Sequence, residues 1–175
     1  MTTAPAIRRP GRLDDALVSA LAELLVDSVE GDASVGFLHP LSRERALAFF
    51  DAVAADVAAG RRAVLVAEDA DGVCGTVQLV LGLPENQPHR AELVKLLVHR
   101  RARRRGVATA LMHAVERTAL DCGRWLLVLD AVTGGTAARL YESLGWVRAG
   151  DIPDYALAPR GGLVGTTYYY RDLRG

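Results

Sequence analysis

A glycine preceded by three consecutive arginines stands where an apolar segment gives way to a helical pattern. Arg103, Arg104 and Arg105 precede Gly106, and this basic turn follows the apolar run at residues 93–98. After the glycine, apolar residues recur at helical spacing. The first backbone N–H groups of a helix have no partner within the helix, and the helix dipole favours negative charge in front of them. Because glycine lets a phosphate approach the backbone closely, this turn is a candidate pyrophosphate site.

The elements that must position this turn are predicted from periodicity and from capping residues. Helices are expected from Asp14 or Asp15 to about residue 29 and at residues 42–59, 107–121 and 136–144. Strands are expected at residues 7–9, 63–68, 73–81, 92–98, 125–130, 146–149 and 166–173. This order predicts an α/β fold with a mixed, mostly antiparallel central sheet and helices on both faces.

The size, charge and residue usage of the chain limit the possible classes of function. With 175 residues, we expect one domain over residues 7–173 and a disordered N-terminus at residues 1–6. The 21 basic and 21 acidic residues balance, which argues against nucleic-acid binding by bulk electrostatics. No 18-residue apolar run or signal peptide is present, so we expect no membrane contact and a cytoplasmic location. The cysteines, Cys74 and Cys122, and the four histidines lack metal-ligand spacing, so we expect no metal.

The basic turn resembles the coenzyme A site of the GCN5-related N-acetyltransferases, the GNAT superfamily. The loop pattern of that superfamily, Arg/Gln-x-x-Gly-x-Gly/Ala, is matched by residues 103–108. Residues 137–146, which read Ala-Ala-Arg-Leu-Tyr-Glu-Ser-Leu-Gly-Trp, are similar to its second signature, a helix that carries a tyrosine and ends at a glycine. Both signatures stand in the order and at the spacing of the superfamily. The resemblance implies the acyl-CoA N-acyltransferase fold and acetyl-CoA as co-substrate.

A closer resemblance connects the chain to the tabtoxin-resistance-like acetyltransferases. Four segments carry it, at residues 25–37, 84–96, 150–157 and 167–171. Together with the two signatures they span nearly the whole chain. This resemblance implies a small amino-acid-like amine as acceptor and a role in antibiotic or toxin resistance.

The superfamily resemblance implies which residues bind the cofactor. Leu96 and Val98 would bond the pantetheine arm through their main chain, and the backbone from Arg104 to Thr109 would hold the pyrophosphate. The full set comprises Leu96, Leu97, Val98, Arg103, Arg104, Arg105, Gly106, Val107, Ala108 and Thr109. One departure stands at Gly134 and Gly135, where many relatives carry a serine or asparagine that contacts the cofactor.

The resemblance also implies the catalytic residues. Glu92 and Asp130 would deprotonate the attacking amine, directly or through water, because they lie where two neighbouring strands part in this architecture. Tyr141 would protonate the leaving thiolate. Each has a structural alternative: a solvated strand end for Glu92, a turn cap for Asp130, and packing on the sheet for Tyr141.

Transfer to a small primary amine is the function expected first, with three alternatives. Transfer to a protein or peptide would need an open groove, whereas a narrow cleft closed by residues 31–40 and flanked by residues 151–155 favours a small molecule. A second alternative is a non-catalytic acyl-CoA sensor. A nucleic-acid module built on residues 100–105 conflicts with the zero net charge. A homodimer is the assembly we consider possible.

Overall fold

One seven-stranded sheet and four helices make up the computed structural model, which describes residues 5–175. In chain order the elements are β1 (Ala6–Arg8), α1 (Asp15–Glu30), α2 (Arg43–Ala58), β2 (Arg62–Asp69), β3 (Gly72–Val80), β4 (Arg90–Val98), α3 (Val107–Asp121), β5 (Leu126–Val132), α4 (Thr136–Ser143), β6 (Val147–Leu157) and β7 (Leu163–Asp172). A short 3₁₀ turn, Arg100–Ala102, lies between β4 and α3.

The strands lie in the order β1-β2-β3-β4-β5-β7-β6. Only the central pair, β4 and β5, runs parallel, and the other neighbours are antiparallel. The β4–β5 connection contains α3, as a parallel crossover requires. The prediction of a mixed, mostly antiparallel sheet is therefore confirmed.

The helices bury their apolar stripes on opposite faces of the sheet. On one face, α3 residues such as Leu111 and Met112 form a buried cluster with Leu65 of β2 and Leu127 of β5. On the other face, α1 and α2 form a second buried cluster with β2, through residues that include Leu21, Phe50, Val64 and Val66. The second cluster involves β2 and β4 but not β5, β6 or β7. On that face, the buried cluster of α1 and α2 does not extend over β5, β7 and β6, which are faced by loops.

Local sequence signals set most of the element boundaries. The Asp14 carboxylate accepts a 2.8 Å hydrogen bond from the Leu17 N–H and caps α1, and Ser42 caps α2 in the same way. The predicted range of α3 is confirmed. Strand β6 is longer than predicted because it pairs with β7 through two register shifts. Almost all of its residues are exposed, so it carries no apolar alternation to predict it from.

The start of β1 corrects one expectation. Residues 1–6 were expected to be disordered, yet Ala6 pairs with Glu68 as the first residue of β1. The backbone hydrogen bonds of β2 order it despite its exposed side chain. The rest of the prediction, at residues 1–4, lies outside the described residues.

Candidate active site

The two parallel strands pair only at their beginnings and then separate. The register between β4 and β5 runs from Arg90 opposite Leu126 to Glu92 opposite Val128 and ends there. Beyond that point the β4 edge that faces β5 has no strand partner within residues 5–175. Leu96, Leu97 and Val98, the residues predicted to bind the cofactor arm, lie in β4 beyond the end of this pairing. An extended chain that carries amide groups can hydrogen-bond to such an edge.

A bulge in β4 lies beside the point where the strands separate. Lys95 has a φ of 55°, and the register between β3 and β4 shifts between Thr76 and Gln78. Leu93, before the bulge, packs in the α3 cluster, whereas Leu97, after it, packs in the α1–α2 cluster. The extra residue therefore changes which face each later side chain meets, and it bends the strand locally.

The first backbone N–H groups of α3 have no hydrogen-bond acceptor within residues 5–175, as the sequence of the basic turn led us to expect. Gly106 occupies the N-cap position with a φ of 74° and gives no side-chain cap. The N–H groups of Val107, Ala108 and Thr109 have no protein acceptor in the part of the chain that the structure describes. A Cβ built on Gly106 would meet no atom within 4 Å, so open space adjoins these donors. This arrangement suits an anionic phosphate group.

The arginines of the turn divide into two sets. Arg100 donates to Asp27 from its backbone N–H at 3.0 Å and from its guanidinium at 2.8 Å. Arg101 and Arg105 both contact Asp69, at 2.7 Å and 3.3 Å. These three pairs fix the turn against α1 and β2. Two further arginines of the turn, at positions 103 and 104, have no acidic partner among residues 5–175, so their charge can meet a ligand.

Two carboxylates lie at the point of separation on the face covered by α1 and α2. Glu92 stands opposite Val128, and Asp130 follows two residues later, so both side chains project to the same face. The Thr166 hydroxyl donates to Asp130 at 2.8 Å, and Arg90 contacts Glu92 at 3.0 Å. The structure thus brings together the two acids that the sequence singled out.

A pair of tyrosines extends this polar surface onto β6 and β7. Tyr168 lies opposite Asp130 in the β5–β7 register, and its hydroxyl is 2.9 Å from that of Tyr155. This hydrogen bond, together with burial and the charges of Tyr155, Asp130 and Glu92, raises the pKa of Tyr168 to about 12. Tyr168 is therefore a neutral hydroxyl beside the two carboxylates at physiological pH.

Tyr141 lies on the opposite face of the sheet from the carboxylates. It is 5% exposed and packs in the α3–α4 cluster, with ring centroids 6.0 Å from Trp146 and 6.1 Å from Tyr169. Burial raises the pKa of its hydroxyl, and the charge of Asp130 raises it further. The Tyr141 hydroxyl makes no hydrogen bond within the described residues, so its proton is available for donation to a ligand.

Comparison with known proteins agrees with this arrangement. A family model described as the acetyltransferase (GNAT) domain matches residues 60–148. The chain belongs to the GNAT acetyltransferase family. The predicted fold and the prediction of an acetyl-CoA-dependent acetyltransferase are thereby confirmed.

Solved structures similar to this GNAT acetyltransferase share its fold over nearly the whole chain. The yncA protein of Salmonella typhimurium, solved with its cofactor acetyl-CoA, has a TM-score of 0.79 and 22% identity and covers 98% of this chain and 95% of its own. A GCN5-related N-acetyltransferase from Kribbella flavida has a TM-score of 0.78 and 26% identity over 97% and 98% of the two chains. A ribosomal-protein-alanine N-acetyltransferase from Brucella melitensis has a TM-score of 0.80 and 22% identity over 96% and 99%.

Two loops of the acetyltransferase meet near the end of α1. The His39 N–H donates to the Pro159 carbonyl at 2.8 Å, which joins the loop of residues 31–40 to the turn between β6 and β7. The Arg160 guanidinium also donates to the Glu30 carbonyl at 3.2 Å. These bonds connect the two loops to each other and to the last residue of α1.

Several polar residues on the same sheet face as Glu92 and Asp130 were not predicted from the sequence. Thr166, Gln78 and Arg62 come from strands distant in sequence, and no local pattern marks them. Lys95 carried one available signal, since it is the single lysine among 21 basic residues. Its bulge conformation, however, is a property of the folded sheet.

Neither a membrane-spanning helix nor a metal-ligand cluster is found among the described residues. Within residues 5–175, no helix combines the length and the apolar composition needed to cross a membrane. The same part of the chain brings no group of three His, Cys, Asp or Glu side chains together to hold a metal ion.

Proposed function

We propose that this acetyltransferase moves the acetyl group of acetyl-CoA to the primary amine of a small amino-acid-like molecule by direct attack. One observation carries the proposal. Where β4 and β5 separate, the carboxylates of Glu92 and Asp130 lie on one face of the sheet, and Tyr141 packs on the other face, where the charge of Asp130 still raises its pKa. An amine and a thiolate on opposite sides of the acetyl group need a base and an acid in this arrangement.

Three features of the chain would hold acetyl-CoA. The β4 edge at Leu96–Val98 offers main-chain hydrogen bonds to the pantetheine arm, and the open N–H groups of residues 107–109 suit the pyrophosphate. The guanidinium groups of Arg103 and Arg104, which have no acidic partner within residues 5–175, add positive charge. Acetyl-CoA supplies the thioester carbon that the amine attacks.

The carboxylates would assist deprotonation of the acceptor ammonium, which is the largest energetic cost of the reaction. A primary ammonium of ordinary pKa near 10.4 lies about 3.4 pH units above neutrality, so about 4.6 kcal/mol is needed to reach the free amine. Glu92 or Asp130 accepts that proton, directly or through water. Thr166 holds the Asp130 carboxylate in place. On the opposite face, Tyr141 remains protonated at neutral pH and gives its proton to the leaving thiolate.

A small acceptor is favoured over a peptide by the cover of the cleft. The bonds from His39 to Pro159 and from Arg160 to Glu30 join the two loops to each other and to the end of α1. A peptide acceptor needs a continuous open groove, and we propose that these joined loops restrict it. The resemblance to tabtoxin-resistance-like enzymes supports the same class of acceptor and a role in toxin resistance.

A screen of candidate acceptor amines distinguishes the proposed acetyltransferase from a non-catalytic acyl-CoA sensor. Thiol release from acetyl-CoA is measured with amino acids, polyamines, aminoglycosides and peptides. Acetyl transfer to small amines by the wild type, together with its loss in the E92Q/D130N double variant, supports the proposal. Acetyl-CoA binding without release on any amine favours the sensor, and release on peptides alone favours a protein acetyltransferase.

A homodimer in the cytoplasm is the assembly and location that we propose. Its support is a set of exposed apolar side chains on β6 and β7: Val147, Ile152, Tyr155, Leu157, Leu163 and Tyr170. Analytical ultracentrifugation of the wild type and of L157E/L163E tests the dimer. A monomeric wild type at micromolar concentration contradicts it.

A further inference from the structure

On the sheet face that carries Glu92 and Asp130, three polar side chains have donor nitrogens that no protein atom within residues 5–175 satisfies. Arg62 on β2, Gln78 on β3 and Lys95 on β4 form this group, which we call the donor cluster. Nε of Arg62 and Nε2 of Gln78 are both buried and have no hydrogen-bond partner in the described part of the chain. Within residues 5–175, no carboxylate oxygen lies within 4.0 Å of the Lys95 ammonium. Unsatisfied buried donors are costly, which makes such a group a candidate ligand site.

Internal contacts hold the cluster in place. The Arg62 guanidinium donates to Oε1 of Gln78 at 2.7 Å, and it contacts Asp56 at 3.5 Å. Because Oε1 accepts this bond, the amide nitrogen of Gln78 is directed elsewhere. Gln78 is fully buried and lies opposite Val94, the residue before Lys95. The donors therefore come from neighbouring positions on three adjacent strands.

The β4 bulge places Lys95 in the same region. Its side chain is half-buried, and the ammonium lies 5.5 Å from the centroid of the Phe49 ring on α2. A Cβ built on Gly36 would be 3.7 Å from the Lys95 nitrogen, so the loop of residues 31–40 passes directly over it. Burial and the positive charge of Arg62 lower the pKa of Lys95, and the carboxylate of Asp130 raises it. Lys95 thus lies under the loop of residues 31–40, within reach of the charges of both Arg62 and Asp130.

We propose that the donor cluster binds a carboxylate of the acceptor, with Lys95 as the residue that selects for it. This inference rests on the proposed function. Glu92 and Asp130 attract the ammonium of the acceptor, and Lys95 and Gln78 attract a negative oxygen beside it. The two halves of the site match a zwitterion, so the acceptor is an amino acid rather than a simple amine or a polyamine.

A kinetic comparison tests the selection. L-Amino acids are compared with their α-amides, which keep the shape and the amine but lack the carboxylate. The amine of an amide is the more easily deprotonated of the two, so chemistry alone favours the amide. We expect the wild type to prefer the acid by about 10- to 100-fold in kcat/KM, mostly through KM, as a charge-assisted contact provides.

Two variants of Lys95 and one control complete the comparison. K95M removes the charge and should remove the preference, whereas K95R should keep most of it. R45M removes a positive charge from the exposed surface of α2 and should leave the preference unchanged. Equal use of acids and amides by the wild type, with transfer intact, overturns the inference and leaves the proposed function standing.

A measurement independent of turnover uses the uniqueness of Lys95. In protein that contains [¹³C]lysine, the chain gives one Cε–Hε signal, because it has one lysine. N-Acetyl-L-methionine, N-acetyl-L-phenylalanine and N-acetyl-L-glutamate are titrated against their α-amides in the presence of coenzyme A. Movement with the acids alone supports the carboxylate site even if no amine is acetylated. Equal movement with acids and amides, or no movement with any of them, overturns it.

Discussion

The Thr166 hydroxyl donates a 2.8 Å hydrogen bond to Oδ2 of Asp130 across the β5–β7 pair. Asp130 is exposed at its strand position, so this bond is what fixes the direction of its carboxylate. The bond connects a proposed base to a strand about 36 residues later in the chain. We therefore propose that Thr166 is a positioning residue for Asp130.

Replacement of the carboxylates tests the proton transfer directly. E92Q and D130N keep shape and hydrogen bonding but remove basicity, so turnover at pH 7 should fall by about 10²–10⁴-fold. Much of the loss should return at high pH, because the amine then arrives neutral. Acetyl-CoA affinity should change little. A pH–rate comparison of the wild type and both variants is the test. If both variants keep wild-type rates at pH 7, Glu92 and Asp130 have only a structural role.

Thr166 gives a second test of the same machinery. T166V should lower turnover at neutral pH by several-fold, with partial recovery at alkaline pH, because Asp130 loses its orienting donor. T166S retains the hydroxyl and is the matched control, so it should stay near the wild type. A loss in T166V that is equal at every pH indicates a packing defect rather than misplacement of the base.

Tyr141 is the proposed acid on the opposite face. Y141F should lower turnover about 10-fold or more, since the thiolate then leaves without a proton donor, while acetyl-CoA affinity stays the same. Stopped-flow thiol release and calorimetry with acetyl-CoA measure the two quantities. Y169F is a suitable control because Tyr169 packs beside Tyr141 but donates its hydroxyl to Glu142 at 2.9 Å. Equal turnover in Y141F and the wild type makes Tyr141 a core residue only.

Gly106 tests the phosphate site. G106E places a negative side chain in the open space beside the donors of α3, so acetyl-CoA binding should be lost. G106A is the control, because it carries the same strain of about 1–2 kcal/mol from the left-handed φ of 74° without the charge. Calorimetry should show binding to G106A and none to G106E. Unchanged affinity in a folded G106E removes the pyrophosphate assignment.

Asp27 ties α1 to the arginine turn, and its contribution depends on pH. Burial opposes ionisation, but the backbone and guanidinium bonds from Arg100 outweigh it, so the pKa of Asp27 lies below its ordinary value of 3.8. The stabilisation is therefore present above pH 3.8 and is lost as pH falls through the lowered pKa. D27N should reduce the free energy of unfolding by about 1 kcal/mol at pH 7, a value reduced to allow for the exposure of Arg100. The difference should shrink below pH 3.8 in chemical denaturation. D71N is the control, since Asp71 is 81% exposed beside the same turn.

The titration of Lys95 tests its surroundings. Its pKa is lowered by burial and by Arg62 and raised by Asp130, so the [¹³C]lysine signal should titrate below the ordinary value of 10.5. R62M removes the like charge and should raise the midpoint, whereas D130N removes the attraction and should lower it further. Shifts of the opposite sign contradict the arrangement of the acceptor face.

Local sequence was sufficient to predict the elements that nucleate from local signals. Asp14 and Ser42 cap helices through bonds three residues away, and α3 follows from a stripe of apolar residues after Gly106. The predicted order of helices and strands also indicated a mixed sheet. In the folded sheet only β4 and β5 form a parallel pair, and α3 makes the crossover between these two strands. The exposed β6 was predicted too short, since its pairing with β7 leaves no apolar alternation to detect.

The candidate site was predicted where a residue type coincided with a predicted strand end or helix start, or matched a family signature. Glu92 and Asp130 stand at predicted strand ends, Gly106 stands at a helix start, and Tyr141 stands in a family signature. The donor cluster, Thr166 and the cover of the cleft could not, because each needs partners from strands or loops far apart in the chain. The conformation of Lys95 depends on a register shift that exists only once β3 and β4 have paired. Sequence thus determined the elements and the chemical groups at their ends, while the pairing of distant strands decided which of those groups share a face.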